Sequence, residues 1–100
     1  FPQLFQSIRV LIYNGIYDMD CNFMGTDQWL ASITWPEGEQ FNQMPRKPWK
    51  EGDRVLGQYR ACGNLTQLLV NGAGHLVPMD QPETALKMLS IFLNQFTFAP

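Results

Sequence analysis

One hundred residues, 45% of them hydrophobic and 13% aromatic, suffice for one packed domain and are too apolar for a disordered chain. A formal net charge of −2 gives no basic surface to neutralise phosphates, which excludes nucleic acid as a partner. No apolar run approaches the roughly 20 residues that cross a bilayer. Two cysteines and one histidine, with neither a CxxC nor an HExxH spacing, supply no metal site and imply no cofactor.

The opening FPQLFQSIRV lacks the basic start and small-residue cleavage site of a signal peptide, so the chain reads as soluble and without a membrane segment. It begins with Phe1 and not Met, which marks it as a processing product or a piece of something longer.

Residues 8–14, IRVLIYN, form a nearly continuous apolar run ending at Asn14-Gly15, the pattern of a central strand buried on both faces of a parallel sheet. Residues 21–33 carry Phe23, Trp29, Leu30 and Ile33 near helical spacing, with a helix start displaced toward Asp27 by Gly25 and Thr26. Residues 35–53 contain three prolines and no sustained period. They read as a surface excursion with one short strand near Trp49, and RKPWK within them as a solvated rim.

Residues 55–61 and 65–70 then look like two strands joined by Cys62-Gly63-Asn64, a hairpin-type turn. Asp80, three residues before Glu83 and with Pro82 between them, reads as the cap of a last helix whose apolar stripe is Ala85, Met88, Leu89, Phe92 and Phe96. One long strand, one hairpin and two helices cannot cover one another's apolar surface. The chain is therefore expected to be a single segment, residues 1–100, from the C-terminal part of a larger α/β domain whose remainder lies elsewhere.

Chemistry-bearing residues gather in two loops. NGIYDMDC puts Asp18 and Asp20 past the carboxyl end of the first strand, and NGAGHLVPMDQP puts His75 past the end of the strand at residues 65–70. A lone histidine in a small domain is more often a packed spectator than a catalyst. Carboxyl ends of strands in open α/β sheets, however, are where functional residues collect. An acid that accepts one ring N–H fixes the tautomer and stabilises the imidazolium formed when the other nitrogen takes a proton. Gly72 and Gly74 allow the tight turn that would aim such a ring, and Pro78 stiffens its exit.

Acid before histidine near a C-terminus is the order of the α/β-hydrolases, whose nucleophilic serine comes earlier. None of Ser7, Ser32 and Ser90 stands in a G-x-S-x-G elbow. On its own the chain is expected to lack a nucleophile and hydrolytic activity.

VLIYNGIYDMDCNFMGTDQW followed by NGAGHLVPMDQP resembles the C-terminal region of the serine carboxypeptidase family, the cathepsin A and yeast vacuolar carboxypeptidase group, over roughly residues 8 to 96. The first family motif has the form NGDxDxxCNxxGxxxW. The resemblance makes Asp18 the triad acid, Cys21 the family cysteine, Asn22, Gly25 and Trp29 framework positions, and Asp20 a variable position of second rank. The second motif, GAGHxVPxDxP, makes His75 the catalytic base and places Leu76 in the pocket for the last residue of the substrate. Ile16 departs from the pattern, standing where the family has the first aspartate of NGDxD.

The resemblance implies an α/β-hydrolase fold with a mostly parallel central sheet and flanking helices, incomplete in this chain. It also implies a longer N-terminal chain of the same precursor that carries the serine, a peptide substrate, and residence in the secretory pathway, in a lysosome or vacuole or outside the cell. A homodimer of the complete enzyme is a further expectation. Relatives of this fold include acyltransferases and a hydroxynitrile lyase, and an inactive binding or stabilising subunit is the reading from another class. Asn64-Leu65-Thr66 is a sequon for glycosylation at Asn64. Cys21 and Cys62 are expected at opposite edges of the sheet, unpaired with each other, with Cys21 a free thiol near the site.

Overall fold

The structure, a computed structural model, describes residues 8–16, 23–74, 76–94 and 98. Strands β1 (Val10–Gly15), β2 (Lys47–Glu51), β3 (Arg54–Cys62) and β4 (Leu65–Val70) form one sheet in the order β1-β4-β3-β2. β1 and β4 run parallel, Val10 opposite Leu65 and Gly15 opposite Val70, while β3 pairs antiparallel with both β4 and β2. Among the described residues the sheet is thus mixed and not mostly parallel. The reason is local: turns at residues 52–53 and 63–64 are too short for anything but antiparallel hairpins.

Among the described residues β1 has one neighbour, β4, and of its six residues only Gly15 is buried, so the central place that its apolar run predicts requires a further strand on its second edge. β4, with partners on both sides, takes the centre: Leu65, Leu68 and Val70 are fully buried and Leu69 nearly so.

Helices α1 (Phe23–Ser32) and α2 (Gly38–Gln43) lie on one face of the sheet, and α4 (Pro82–Asn94), entered through the single turn α3 (Val77–Asp80), lies on the other. The period-two alternation of strands sends Val10, Ile12, Leu65 and Cys62 into a cluster with Leu30, Trp35 and Phe41. Leu11, Tyr59, Leu68 and Val70 pack on the other side with Met88, Val77 and Phe98. The result is a three-layer α/β/α arrangement.

The excursion at residues 35–53 is tied down by aromatics, because Trp35, Phe41 and Trp49 are all buried. Its short strand is β2, as expected around Trp49, whereas α2 carries no periodic signal in so short a stretch. Two residues assigned to inward stripes point outward: Trp29 of α1 and Leu89 of α4 are 40% and 50% exposed. On α4 the expected Ala85, Met88 and Phe92 do pack against the sheet, joined by Ile91 and the buried Thr84, while Leu86, Leu89 and Leu93 line a second apolar face that no described residue covers. Phe96 lies outside the described residues.

Beneath α1 the sheet carries a polar cluster. The Asp27 carboxylate accepts hydrogen bonds from Arg46 at 2.6 and 2.7 Å, from Gln67 Nε2 at 2.7 Å and from Arg60 at 3.4 Å. Arg60 also donates from Nε to Gln67 Oε1 at 2.8 Å and lies 4.3 Å over the Phe41 ring. Arg60 is only 6% exposed; burial and then nearby Arg46 pull its guanidinium below its ordinary pKa, and Asp27 opposes them. Arg46, read in the sequence as part of a solvated rim, belongs to this cluster. Removing the one carboxylate leaves two guanidiniums facing each other, one of them nearly dry. Asp27→Ala is expected to destabilise the protein by about 2–4 kcal/mol, with Asp27→Asn intermediate. A denaturant midpoint unchanged by Asp27→Ala would show that the cluster contributes nothing.

Candidate active site

The site is built where β1 and β4 end side by side. Ile16 N–H donates to the Val70 carbonyl at 3.0 Å, extending the ladder one step past β1, and Asn71 N–H donates to Leu56 at 3.0 Å as the chain leaves β4. Gly72 then turns at φ +71°, a conformation that side chains resist, as the glycine in this loop leads one to expect. The turn brings Ala73, 1% exposed, and Gly74 back over the end of β1.

There the loop after β4 meets the last residue of β1. A Cβ on Gly15 would lie 2.2 Å from the Gly74 carbonyl oxygen and 2.3 Å from that of Ala73, so only a glycine lets the backbones approach this closely. Asp18 is two residues beyond Ile16 in the chain and His75 directly follows Gly74. Asp18, Asp20, Cys21, Asn22 and His75 themselves lie outside the described residues. The described backbone brings together the segments that lead to them.

Beyond the loop, Leu76 is 54% exposed and Val77 is buried at the start of α3. Pro78 sits in the first turn of α3, where its missing N–H leaves no bond unmade. Asp80 departs from its expected role. It does not cap α4, because it ends α3 and its Oδ2 accepts the Gly74 N–H at 2.8 Å, reaching back across the loop. Gln81 precedes α4 instead; its carbonyl accepts the Ala85 N–H at 2.9 Å, and its side-chain Nε2 donates to the Gly72 carbonyl at 3.1 Å.

This back-reaching pair is not legible in the residues, since a D-x-P-E string signals a cap and only the intervening turn of helix redirects it. The Asp27 cluster has one signal in the chain, Gln67 inside the apolar run LTQLLV, because a polar residue on a buried strand must find a partner.

Cys62 is a free, half-buried thiol at the end of β3, beside the amino ends of β1 and β4 and so at the edge opposite the two loops. Burial, and then Glu37, push its pKa up, which keeps it protonated and a poor nucleophile. Asn64 stands in the β3–β4 turn at that same far edge, and Val10 N–H donates to its carbonyl at 2.7 Å. Among the described residues no group of three His, Cys, Asp or Glu side chains could hold a metal ion, and no helix is long and apolar enough to cross a membrane.

A parallel strand pair, the loop after one strand folded against the carboxyl end of the other, under helices on both faces, defines an α/β protein of the kind that carries its chemistry at one sheet edge. The sequence matches the family described as serine carboxypeptidase over residues 1–95, and the chain belongs to that family. It is 39% identical to Carboxypeptidase Y homolog A of Sclerotinia sclerotiorum over 96% of its own length and 18% of that protein's. To serine carboxypeptidase S10 family member 1 of Dictyostelium discoideum it is 37% identical, covering 93% of the chain and 23% of the relative. A serine carboxypeptidase-like protein of Oryza sativa subsp. japonica is 42% identical over 88% of the chain and 21% of its own length. The chain thus spans about a fifth of the length of these relatives.

Proposed function

We propose that this chain is the C-terminal portion of a serine-type carboxypeptidase, to which it contributes the acid Asp18 and the base His75. The observation that carries the reading is the backbone contact between Gly15 and Gly74 in a chain of the serine carboxypeptidase family. It ties together the two segments that lead to these residues. His75 takes the Oγ proton of a serine in the N-terminal remainder as that oxygen attacks the last peptide carbonyl, then gives the proton to the leaving amine. Asp18 stabilises the imidazolium between the two steps. Water then cleaves the acyl-enzyme by the same proton relay, and the products are a free C-terminal amino acid and a shortened peptide.

Two features support an incomplete fold. β1 offers its second edge to a further strand, and Leu86, Leu89 and Leu93 of α4 offer an apolar face that no described residue covers. A helix apolar on two sides is one meant to be enclosed. Leu76, which follows His75 in the chain and is 54% exposed, is proposed to line the substrate pocket that the remainder would complete. Cys21, three residues after Asp18, is proposed as a thiol near the site.

The test is to purify the native full-length or two-chain protein and treat it with a fluorophosphonate label. Uptake on a serine outside this chain, with stepwise trimming of peptides from their C-termini, is the expected result. Labelling without trimming would favour an acyltransferase or lyase. A folded, intact protein that never labels would favour a binding or stabilising subunit.

A secretory itinerary, ending in a lysosome or vacuole or outside the cell, goes with this reading and with the Asn64 sequon. Asn64 sits in a turn on the edge remote from the site, where a glycan would leave the chemistry clear. Peptide-N-glycosidase is expected to lower the mass of the native protein by one glycan from this chain, and the Asn64→Gln variant is expected to show no such loss. A wild-type chain whose mass the glycosidase leaves unchanged would remove Asn64 as a modification site.

A further inference from the structure

We propose that Asp80 and Gln81 are positioning residues for His75, a two-point clamp on the backbone that bears the base; this rests on the reading of His75 as the catalytic base. The loop between β4 and α3 is fixed from two sides. From the end of β1, the Gly15 backbone abuts the carbonyls of Ala73 and Gly74. From the junction of α3 and α4, Asp80 Oδ2 accepts the Gly74 N–H at 2.8 Å and Gln81 Nε2 donates to the Gly72 carbonyl at 3.1 Å.

That junction is itself firm. Val77 is buried, Asp80 and Met79 N–H donate to the Leu76 carbonyl at 3.0 Å, and Gln81 N–H donates to Val77 at 2.8 Å. The described residues on either side of position 75, Gly74 and Leu76, are therefore both held. No requirement of helix capping turns Asp80 toward Gly74. A carboxylate accepting a backbone N–H makes a charge-assisted bond, stronger than a neutral one, immediately before the residue that must be aimed.

Aim is what catalysis by a base demands, and a misplacement of 1 Å costs on the order of 10²-fold in rate. Asp80→Ala removes the acceptor, whereas Asp80→Asn keeps an amide oxygen of the same reach. In the full-length protein we expect Asp80→Ala to lower kcat by roughly 30- to 100-fold with KM within about threefold of the parent, and Asp80→Asn to keep kcat within about fivefold. A residue that served only stability would not split kcat from KM, nor would its amide variant restore the rate in folded enzyme.

Equal losses in Asp80→Ala and Asp80→Asn, or an unchanged kcat in Asp80→Ala, would overturn the clamp. If Asp80→Ala does not accumulate as folded protein, Gln81→Met carries the test by releasing Gly72 alone, and an unchanged kcat there overturns it equally. The underlying reading fails separately: a His75→Ala variant that still takes up the fluorophosphonate at the parental rate removes the base itself, whatever Asp80 does.

Discussion

His75→Ala in the full-length protein is expected to lower kcat/KM for peptide trimming by about 10⁴- to 10⁶-fold, some 5–8 kcal/mol of transition-state stabilisation. The size follows from the role. Without a base the serine hydroxyl must attack with its proton in place, and the leaving amine departs without one. Asp18→Asn is expected to cost about 10⁴-fold, because an amide can hold the ring in the wrong tautomer and cannot stabilise the imidazolium. Combining the two should add little to the larger single loss, since the residues act as one unit. Asp20→Asn separates the two aspartates of the loop and is expected to stay within about fivefold of the parent. Steady-state kinetics on folded variants decides the matter: a His75→Ala enzyme keeping a tenth of its activity, or an Asp20 variant losing more than the Asp18 variant, would be incompatible with these roles.

Gly15→Ala is expected to destabilise the protein by about 3 kcal/mol or more, or to leave a folded protein that has lost most of its activity. The new methyl carbon would lie 2.2 and 2.3 Å from two backbone carbonyl oxygens, where neither side-chain rotation nor a small tilt can make room. Either β1 must withdraw from β4 or the segment at residues 73–74 must lift. Lifting it strains the bonds to Asp80 and Gln81 and moves the chain immediately before His75. Gly52→Ala is the control. Its φ of +60° strains an alanine, but nothing lies within 4 Å of the added carbon, so the expected cost is only about 1–2 kcal/mol with activity retained. Denaturant midpoints at constant slope measure both, and equal shifts for the two glycines would show that backbone conformation alone, and not the contact of Gly15 with residues 73–74, sets the cost.

Much of the frame is legible in the residues. β3, β4 and their tight turn follow from two apolar runs around Cys62-Gly63-Asn64, and β1 from IRVLIYN. What is not legible is who pairs with whom. An apolar run says that a strand is buried in its finished setting, but not which strand is central within a given stretch, because pairing is decided by residues far away in the chain. The outward Leu89 has the same origin. Its spacing fits a core stripe equally well, and only the orientation of α4 over the sheet selects Met88 and Ile91 over Leu86 and Leu93. For the candidate site, the motifs single out Asp18 and His75, which lie outside the described residues, while Asp80 misleads because a short helix intervenes before α4.

The order of strands also sets the order in which the molecule can assemble. β2, β3 and β4 are joined by two-residue turns and can zip together locally, whereas Val10 meets Leu65 from 55 positions away. Closing that larger ring costs on the order of 2 kcal/mol more chain entropy than closing a hairpin. The β1–β4 pairing that seats Gly15 against Gly74 is thus the most non-local contact in the sheet, and topology favours its late arrival. In a chain built this way the three-stranded scaffold that leads into the turn at residues 72–74 can form before β1 docks beside it.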